Sequence, residues 1–193
     1  MKIAVLSDGA WGTALAITLV DNGHTVELWG PFPEYLREMD KARRNTRFLP
    51  GPVLPPALGI REDMAEALKD AEIAVLASPC QYYRQVLDSI PRHACSPDLL
   101  FVNVAKGIEV GTLRRPGQIV AEVLGDVPYA CLSGPSHAEE VAVQVPTAVV
   151  AASAQIRWAQ RVQRVFSNET FFRVYTSDDV VGVELGGALK NVF

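Results

Sequence analysis

Met1-Lys-Ile-Ala-Val-Leu-Ser-Asp-Gly-Ala-Trp-Gly-Thr-Ala-Leu-Ala16 opens the chain, and the fold is decided by how this stretch is read. An apolar run from Ile3 to Leu6 breaks at small and polar residues, and an Ala-rich helical pattern starts at about Trp11. Strand, turn and helix in that order form the opening of a dinucleotide-binding unit. Glycines in such a turn let the main chain approach a pyrophosphate, while free N–H groups and the helix dipole attract the anion. Against G-x-G-x-x-G the chain has Ser7-Asp8-Gly9-Ala10-Trp11-Gly12, so the first glycine is missing. These residues alone leave two readings. Gly9, Ala10, Trp11 and Gly12 cradle a dinucleotide, or they make a tight strand-to-helix turn with no ligand, which Asp8, an anion beside an anion site, favours.

The totals narrow the class. With 193 residues, 49% of them hydrophobic and 21% charged, the chain is long enough for one well-buried domain, or one domain and part of another. A formal net charge of -4 argues against broad nucleic-acid binding and leaves room for a local basic pocket that takes a small phosphorylated ligand. Cys80, Cys95 and Cys131 form no C-x-x-C pair, which suits buried free thiols in a reducing cytoplasm. His24, His93 and His137 have no metal-ligand spacing, so no metal is expected. No apolar run approaches the roughly 18 residues of a membrane span, and the N-terminus is unlike a signal peptide.

Outward from the opening turn, Thr13 to Val20 reads as a helix stopped by Asn22-Gly23, and Thr25 to Trp29 as a strand. An acidic residue about 20 positions beyond the glycine turn would bind ribose hydroxyls, but Gly30-Pro31-Phe32 stands there. With no carboxylate to repel a 2′-phosphate and no arginine to bind one, NAD and NADP stay open. Glu34 to Arg44 reads as a charged, solvent-facing helix, residues 45–56 as an ordered, proline-dense loop with a short extended piece, and Arg61 to Ala71 as a helix. Buried strands follow at Glu72 to Ala77 and Leu99 to Ala105, with Gln81 to Leu87 helical between them. A helix near Pro116 to Leu124, strands at Tyr129 to Leu132, Pro146 to Ala152 and Phe171 to Tyr175, and a helix at Gln155 to Phe166 complete the alternation. The expectation is an α/β, Rossmann-like doubly wound, mostly parallel sheet over residues 1–177.

Ligands of such sheets bind beyond the carboxyl ends of the strands, where Lys106 stands as a point charge or as a solvated loop lysine. Ser133-Gly134-Pro135-Ser136 repeats the strand-then-small-residue design of the opening, and His137 beside it is an acid or base candidate or a capping or packing residue. Residues 178–193 begin a further helix, whose Gly182, Gly186 and Gly187 call for close backbone packing. Gly186 and Lys190 are four apart and share a face, so Lys190 projects over this small-residue stripe.

Several separated motifs resemble one family. Gly9-Ala-Trp-Gly-Thr-Ala-Leu-Ala16, Phe48-Leu-Pro-Gly51, Ala105-Lys-Gly-Ile-Glu109, Leu132-Ser-Gly-Pro-Ser136 with Ala138-Glu-Glu-Val141, and Val183-Glu-Leu-Gly-Gly-Ala-Leu-Lys-Asn191 are similar to the bacterial-type NAD(P)-dependent glycerol-3-phosphate dehydrogenases, from residue 1 to the end. The resemblance implies a cytoplasmic oxidoreductase that interconverts dihydroxyacetone phosphate and sn-glycerol 3-phosphate with NAD or NADP, for glycerophospholipid synthesis. It implies Lys190 and Lys106 as catalytic residues, with Lys190 the proton donor, and Lys106, Gly134 and Ser136 as substrate contacts. It places Gly9, Ala10, Trp11, Gly12, Phe32, Lys106 and Ala138 around the cofactor, and a homodimer in the full-length protein. Mutual repulsion and partial burial would lower the pKa of Lys190.

Three positions depart from the family pattern: Ser7 replaces its first glycine and crowds the turn, Pro31-Phe32 replaces an arginine, and His137 replaces a phenylalanine. Family members also continue into a helical domain that grips the substrate phosphate, so the helix over 178–193 is expected to lead to a domain this chain lacks. A non-catalytic nucleotide-binding remnant and another Rossmann-type hydroxyacid dehydrogenase are the alternatives.

Overall fold

Short aliphatic runs bounded by glycine, proline and asparagine become strands, and the longer segments between them become helices. A computed structural model describes residues 1–190. Its first half holds β1 (Lys2–Leu6), α1 (Ala10–Asp21), β2 (Thr25–Trp29), α2 (Pro33–Ala42), β3 (Gly59–Arg61), α3 (Met64–Leu68), β4 (Ile73–Leu76), α4 (Cys80–Asp88) and β5 (Leu100–Asn103). The second half holds α5 (Pro116–Leu124), β6 (Tyr129–Ser133), α6 (Ala138–Ala142), β7 (Thr147–Ala152), α7 (Ile156–Phe166), β8 (Phe172–Ser177) and α8 (Val180–Leu189). Asn191, Val192 and Phe193, which close the expected last helix, lie outside the described residues.

All the strands join one sheet in the order β3-β2-β1-β4-β5-β6-β7-β8. Every pairing among the described residues is parallel except β6 with β7, where Ser133 faces Val150. Alternate strand residues feed two cores: Ile3, Val5, Ile73 and Val75 pack with α1, α6 and α7, while Ala4, Leu6, Ala74 and Leu76 pack with α3, α4 and α5. This is the Rossmann-like doubly wound α/β fold. Strands are added to one side of β1 as far as β3 and to its other side from β4 on, so the strand order reverses between β1 and β4, and the crevice beyond their carboxyl ends is the place where such sheets take ligands.

α1 is buried continuously from Gly12 to Leu19, because it lies between the sheet and the α6–α7 layer. Its approach to β1 leaves no space for a side chain at Gly12, where a Cβ would stand 2.3 Å from the Ser7 carbonyl oxygen. Ser7 does not crowd the turn. It accepts a backbone φ of 150°, a value glycine holds with ease, and its Oγ accepts a hydrogen bond from the Gly9 N–H at 3.2 Å.

Several expectations are corrected. Arg61 belongs to β3, paired with Trp29, and the helix expected over Arg61 to Ala71 shrinks to Met64–Leu68 with Asp63 as its cap. Within 45–56 the extended pairing is limited to an isolated bridge between Asn45 and Leu49, and a short strand follows at Gly59–Arg61. α2 is not simply solvent-facing, since it buries Leu36 and Met39. Cys80 and Cys131 are buried free thiols, whereas Cys95 is only half-buried.

The strain at Ser7 gives a test. Ser7→Gly and Ser7→Ala both lose the hydroxyl, but only glycine relaxes the positive φ, a conformation that costs other residues about 1–3 kcal/mol. Urea denaturation is expected to find Ser7→Gly more stable than Ser7→Ala by an amount in that range.

Candidate active site

The β1–α1 turn presents the first N–H groups of a buried helix to the crevice. Gly9, at the cap position, brings no side chain to bond them, so the N–H groups of Ala10, Trp11 and Gly12 stay open to an anion. The indole N–H of Trp11 is also buried without a partner. A pyrophosphate fits this cradle by its donors and by the absence of a side chain at Gly12. Asp8 does not spoil it: the residue is 3% exposed, and burial raises its pKa above the ordinary carboxylate value.

A loop and a helix end on the same edge bring up positive charge. After β5, Asn103 accepts from the Ala105 N–H at 3.0 Å and donates to the Ala105 carbonyl at 3.2 Å, which fixes the loop that carries Lys106. The Lys106 ammonium donates to the Gly134 carbonyl at 2.9 Å, to Ser136 Oγ at 3.2 Å and to the Ser136 carbonyl at 3.4 Å, and lies 5.8 Å from the centre of the Trp11 ring. From α8, Lys190 donates to that same Ser136 carbonyl at 2.9 Å, and its Nζ stands 3.3 Å from His137 Nε2. Neither lysine pairs with a carboxylate among the described residues. Burial, and then the charge of Lys190, lower the Lys106 pKa from 10.5 to about 8. Lys106 is the lysine pressed under α8, where a Cβ on Gly187 would stand 3.6 Å from its Cγ.

α8 starts at the amino edge of β6 and ends at its carboxyl edge, which is how Lys190 comes to Ser136. Its cap is Asp179, whose carboxylate accepts from the Gly182 N–H at 2.8 Å. Halfway along, Glu184 is 5% exposed and holds the helix down: its carboxylate accepts from the Gly117 N–H at 2.8 Å, the Tyr129 hydroxyl at 2.5 Å and the Arg115 guanidinium. Close packing accounts for Gly187 alone, where a Cβ would meet Ser133 Oγ at 2.4 Å; within 4 Å of such an atom at Gly186 there is nothing, and at Gly182 stands the capping carboxylate. An open groove of about 340 Å3 lies between α8 and Ser133-Gly134-Pro135, with Lys190 on its rim. The larger cavity, about 520 Å3, opens around Tyr129 and Ser153 at the opposite edge of the sheet, away from both lysines.

The sequence-derived residues therefore fall into two groups. Gly9, Ala10, Trp11, Gly12, Lys106, Gly134, Ser136 and Lys190 meet along one edge. Ala138 opens α6 and packs beneath, 8% exposed, while Phe32 precedes α2 beyond the end of β2 and is 52% exposed. His137 occupies the cap position of α6 but makes no capping bond with its side chain, and stands beside Lys190 instead. Sequence reasoning missed Glu184 and Asn45. A lone carboxylate in the apolar, glycine-rich run from Val180 to Leu189 signals the first, and nothing local signals the second. Among the described residues no cluster of His, Cys, Asp and Glu could hold a metal ion, and no helix is long and apolar enough to cross a membrane.

A helix start open to anions at the switch point of a doubly wound sheet, flanked by two lysines, defines a dinucleotide-binding domain of the dehydrogenase class. Over residues 2–159 the chain matches the family model of the NAD-dependent glycerol-3-phosphate dehydrogenase N-terminus, and it belongs to that family. It is 46% identical over 193 residues to glycerol-3-phosphate dehydrogenase (NAD(P)+) of Geobacillus kaustophilus, covering 99% of this chain and 56% of the relative. The enzyme of the same name from Chlorobium phaeobacteroides is 44% identical over 195 residues, covering 100% and 58%. The crystal structure of glycerol-3-phosphate dehydrogenase from Coxiella burnetii superposes with a TM-score of 0.92 at 34% identity, covering 99% of this chain and 58% of that one. The chain thus spans a little over half the length of these relatives.

Two outcomes test the electrostatics. Competitive amine acetylation is expected to show Lys106 becoming reactive as it loses its proton through about pH 8, below the ordinary 10.5. In Lys190→Met the midpoint rises part of the way back, because burial, the larger cause, remains. Glu184→Ala strands Arg115 and the Tyr129 hydroxyl and is expected to cost about 3 kcal/mol in urea denaturation, with Glu184→Gln, which keeps an acceptor, costing less.

Proposed function

We propose that the chain forms the cofactor-binding half of an NAD(P)-dependent glycerol-3-phosphate dehydrogenase, which interconverts dihydroxyacetone phosphate and sn-glycerol 3-phosphate in the cytoplasm and supplies glycerophospholipid synthesis. The observation that carries this reading is the convergence of Lys106 and Lys190 on the Ser136 carbonyl, beside an anion cradle and without a carboxylate partner among the described residues. The residues at the β1–α1 turn would hold the cofactor pyrophosphate, with Trp11 and Ala138 closing the crevice around it. The nicotinamide, when bound, supplies hydride to the substrate carbonyl carbon and takes it back in the reverse direction.

The chain's own residues manage charge and protons. As negative charge grows on the carbonyl oxygen, Lys106 donates an N–H to it, and the low polarity that depresses the Lys106 pKa also strengthens that contact. Lys190 transfers a proton from Nζ to the same oxygen, completing the alcohol and leaving a neutral amine, and in oxidation the amine takes the hydroxyl proton as hydride leaves the carbon. His137 is exposed and 3.3 Å away, and gives the Lys190 proton a route to water. The Ser136 carbonyl holds both ammonium groups, the Gly134 carbonyl holds that of Lys106, and both residues border the substrate. Further ligands of the substrate phosphate come from the part of the relatives' length that this chain does not span. Val181, Leu185 and Leu189 recur on the exposed side of α8 and offer that part an apolar surface to pack on.

Steady-state kinetics of the protein extended to the length of its relatives test the assignment. Lys190→Met is expected to lower kcat by about 10²–10⁴-fold, the ordinary worth of a general acid, while the dissociation constant of the cofactor stays within about threefold. Turnover undiminished by Lys190→Met would sink the role of Lys190. Failure of the folded chain to bind either NADH or NADPH at about millimolar concentration, an affinity near -4 kcal/mol, would sink the cofactor site.

A further inference from the structure

The loop after β2 contains neither the acid that reads a ribose diol nor an arginine for a 2′-phosphate, yet the fold brings an arginine to that loop from elsewhere. Asn45, 1% exposed, donates through Nδ2 to the Asp8 carbonyl and to Thr13 Oγ1, both at 2.7 Å. Its Oδ1 accepts from the Tyr35 hydroxyl at 2.7 Å and the Phe48 N–H at 3.0 Å, and the Tyr35 oxygen accepts from the Arg47 N–H at 2.8 Å. The Asn45–Leu49 turn is thereby fastened to the same β1–α1 turn that offers N–H groups to an anion. Arg47, on this turn, is exposed, and its guanidinium carbon lies 5.7 Å from the Phe32 ring centre, 5.7 Å from Tyr35 and 5.5 Å from Phe48.

Three aromatic faces hold the guanidinium in place without using its N–H donors. Among the described residues its nitrogens make no hydrogen bond to a side chain or carbonyl and no ion pair. The carboxyl group near enough to act on it, Asp8, is turned inward: a Cβ on Gly30 would stand 2.5 Å from Asp8 Cγ, and Asp8 Oδ2 is buried without a partner. A ligand on this rim therefore meets an unspent cation and a shielded acid. In a doubly wound sheet whose β1–α1 turn holds the pyrophosphate, the adenosine ribose lies over the carboxyl end of β2, the end that Phe32 and Arg47 flank.

We propose that Arg47 reads the 2′ position of the cofactor's adenosine ribose and makes the site prefer the 2′-phosphorylated dinucleotide, NADPH, over NADH. The inference rests on the reading of the β1–α1 turn as the cofactor site. A 2′-phosphate gives the planar guanidinium two oxygens for parallel, charge-assisted hydrogen bonds. A ribose diol offers it only neutral hydroxyls, and the carboxyl group near enough to act on it, Asp8, is buried and turned inward.

Isothermal titration calorimetry of the chain with NADPH and NADH, and with adenosine 2′,5′-bisphosphate and adenosine 5′-monophosphate as fragments, tests this. NADPH and the bisphosphate are expected to bind about 10–100-fold more tightly than their partners, the worth of hydrogen bonds to a charged group. Arg47→Gln should abolish the difference and leave the NADH constant within about threefold, and Arg47→Glu should reverse it. Equal affinities in the unaltered chain, a preference that survives Arg47→Gln, or an equal loss for both dinucleotides in Arg47→Gln would each overturn the inference while leaving the cofactor site standing. Binding of neither dinucleotide by a chain that circular dichroism shows folded would overturn the cofactor site itself, and the inference with it.

Discussion

One carbonyl oxygen, that of Ser136, receives N–H groups from two lysines, one on the loop after β5 and one at the end of α8. Two like charges so close repel, and partial burial makes the repulsion worse, so the contact persists only because the surroundings hold every part of it. Asn103 closes the loop beneath Lys106, Gly134 adds a second carbonyl, and Gly187 lets α8 come down on Ser133. The cost falls on Lys106, where burial and then the charge of Lys190 lower the pKa to about 8. A site held in this state gains by taking up negative charge, which is the behaviour that binding a phosphorylated ligand or stabilising an alkoxide requires.

The strands were legible because each is a short aliphatic run with clear punctuation. β2 and α5 fall where the pattern puts them, and β1, β4, β5 and β6 shift by a residue or two at their ends. The exception, β3, has three residues with none fully buried, so it carries no apolar signature and exists because Trp29 offers it an edge to pair with. The helix expected across Arg61 failed for the same reason: pairing with β2 outweighs local helix propensity. α2 was legible as a helix but not as a partly buried one, since two apolar residues among many charges leave little trace in composition.

Within the candidate site, legibility depended on distance along the chain. Gly9 to Gly12, Lys106, Ser133 to Ser136 and Lys190 each stand in a local pattern that points to the carboxyl edge. Asn45 and Glu184 act on partners far away in sequence, Asp8 and Thr13 for one, Arg115, Gly117 and Tyr129 for the other, so their importance arises only when the chain is folded. At His137 the sequence leaves an acid or base role open beside a capping or packing one; the side chain makes no capping bond, and the ring stands beside Lys190, which the fold brings from 53 residues away. The arginine missing after β2 is likewise supplied from a distance, on a turn that Asn45 fastens to the β1–α1 turn, so the residues that follow β2 carry no sign of it.

The antiparallel junction between β6 and β7 has a consequence for the scale on which this edge is built. It sends β7 and β8 back toward the amino edge of the sheet, so α8 must cross the whole width of β6 before Lys190 reaches Ser136. The helix is therefore a ruler, pinned at Glu184 and read at Lys190. Each residue between those marks advances the tip by about 1.5 Å and turns it by about 100°. A deletion or insertion of a single residue there would carry the ammonium round to another side of the helix while leaving sheet, cradle and core untouched. The length of that interval is thus as much a part of the site as the residues that line it.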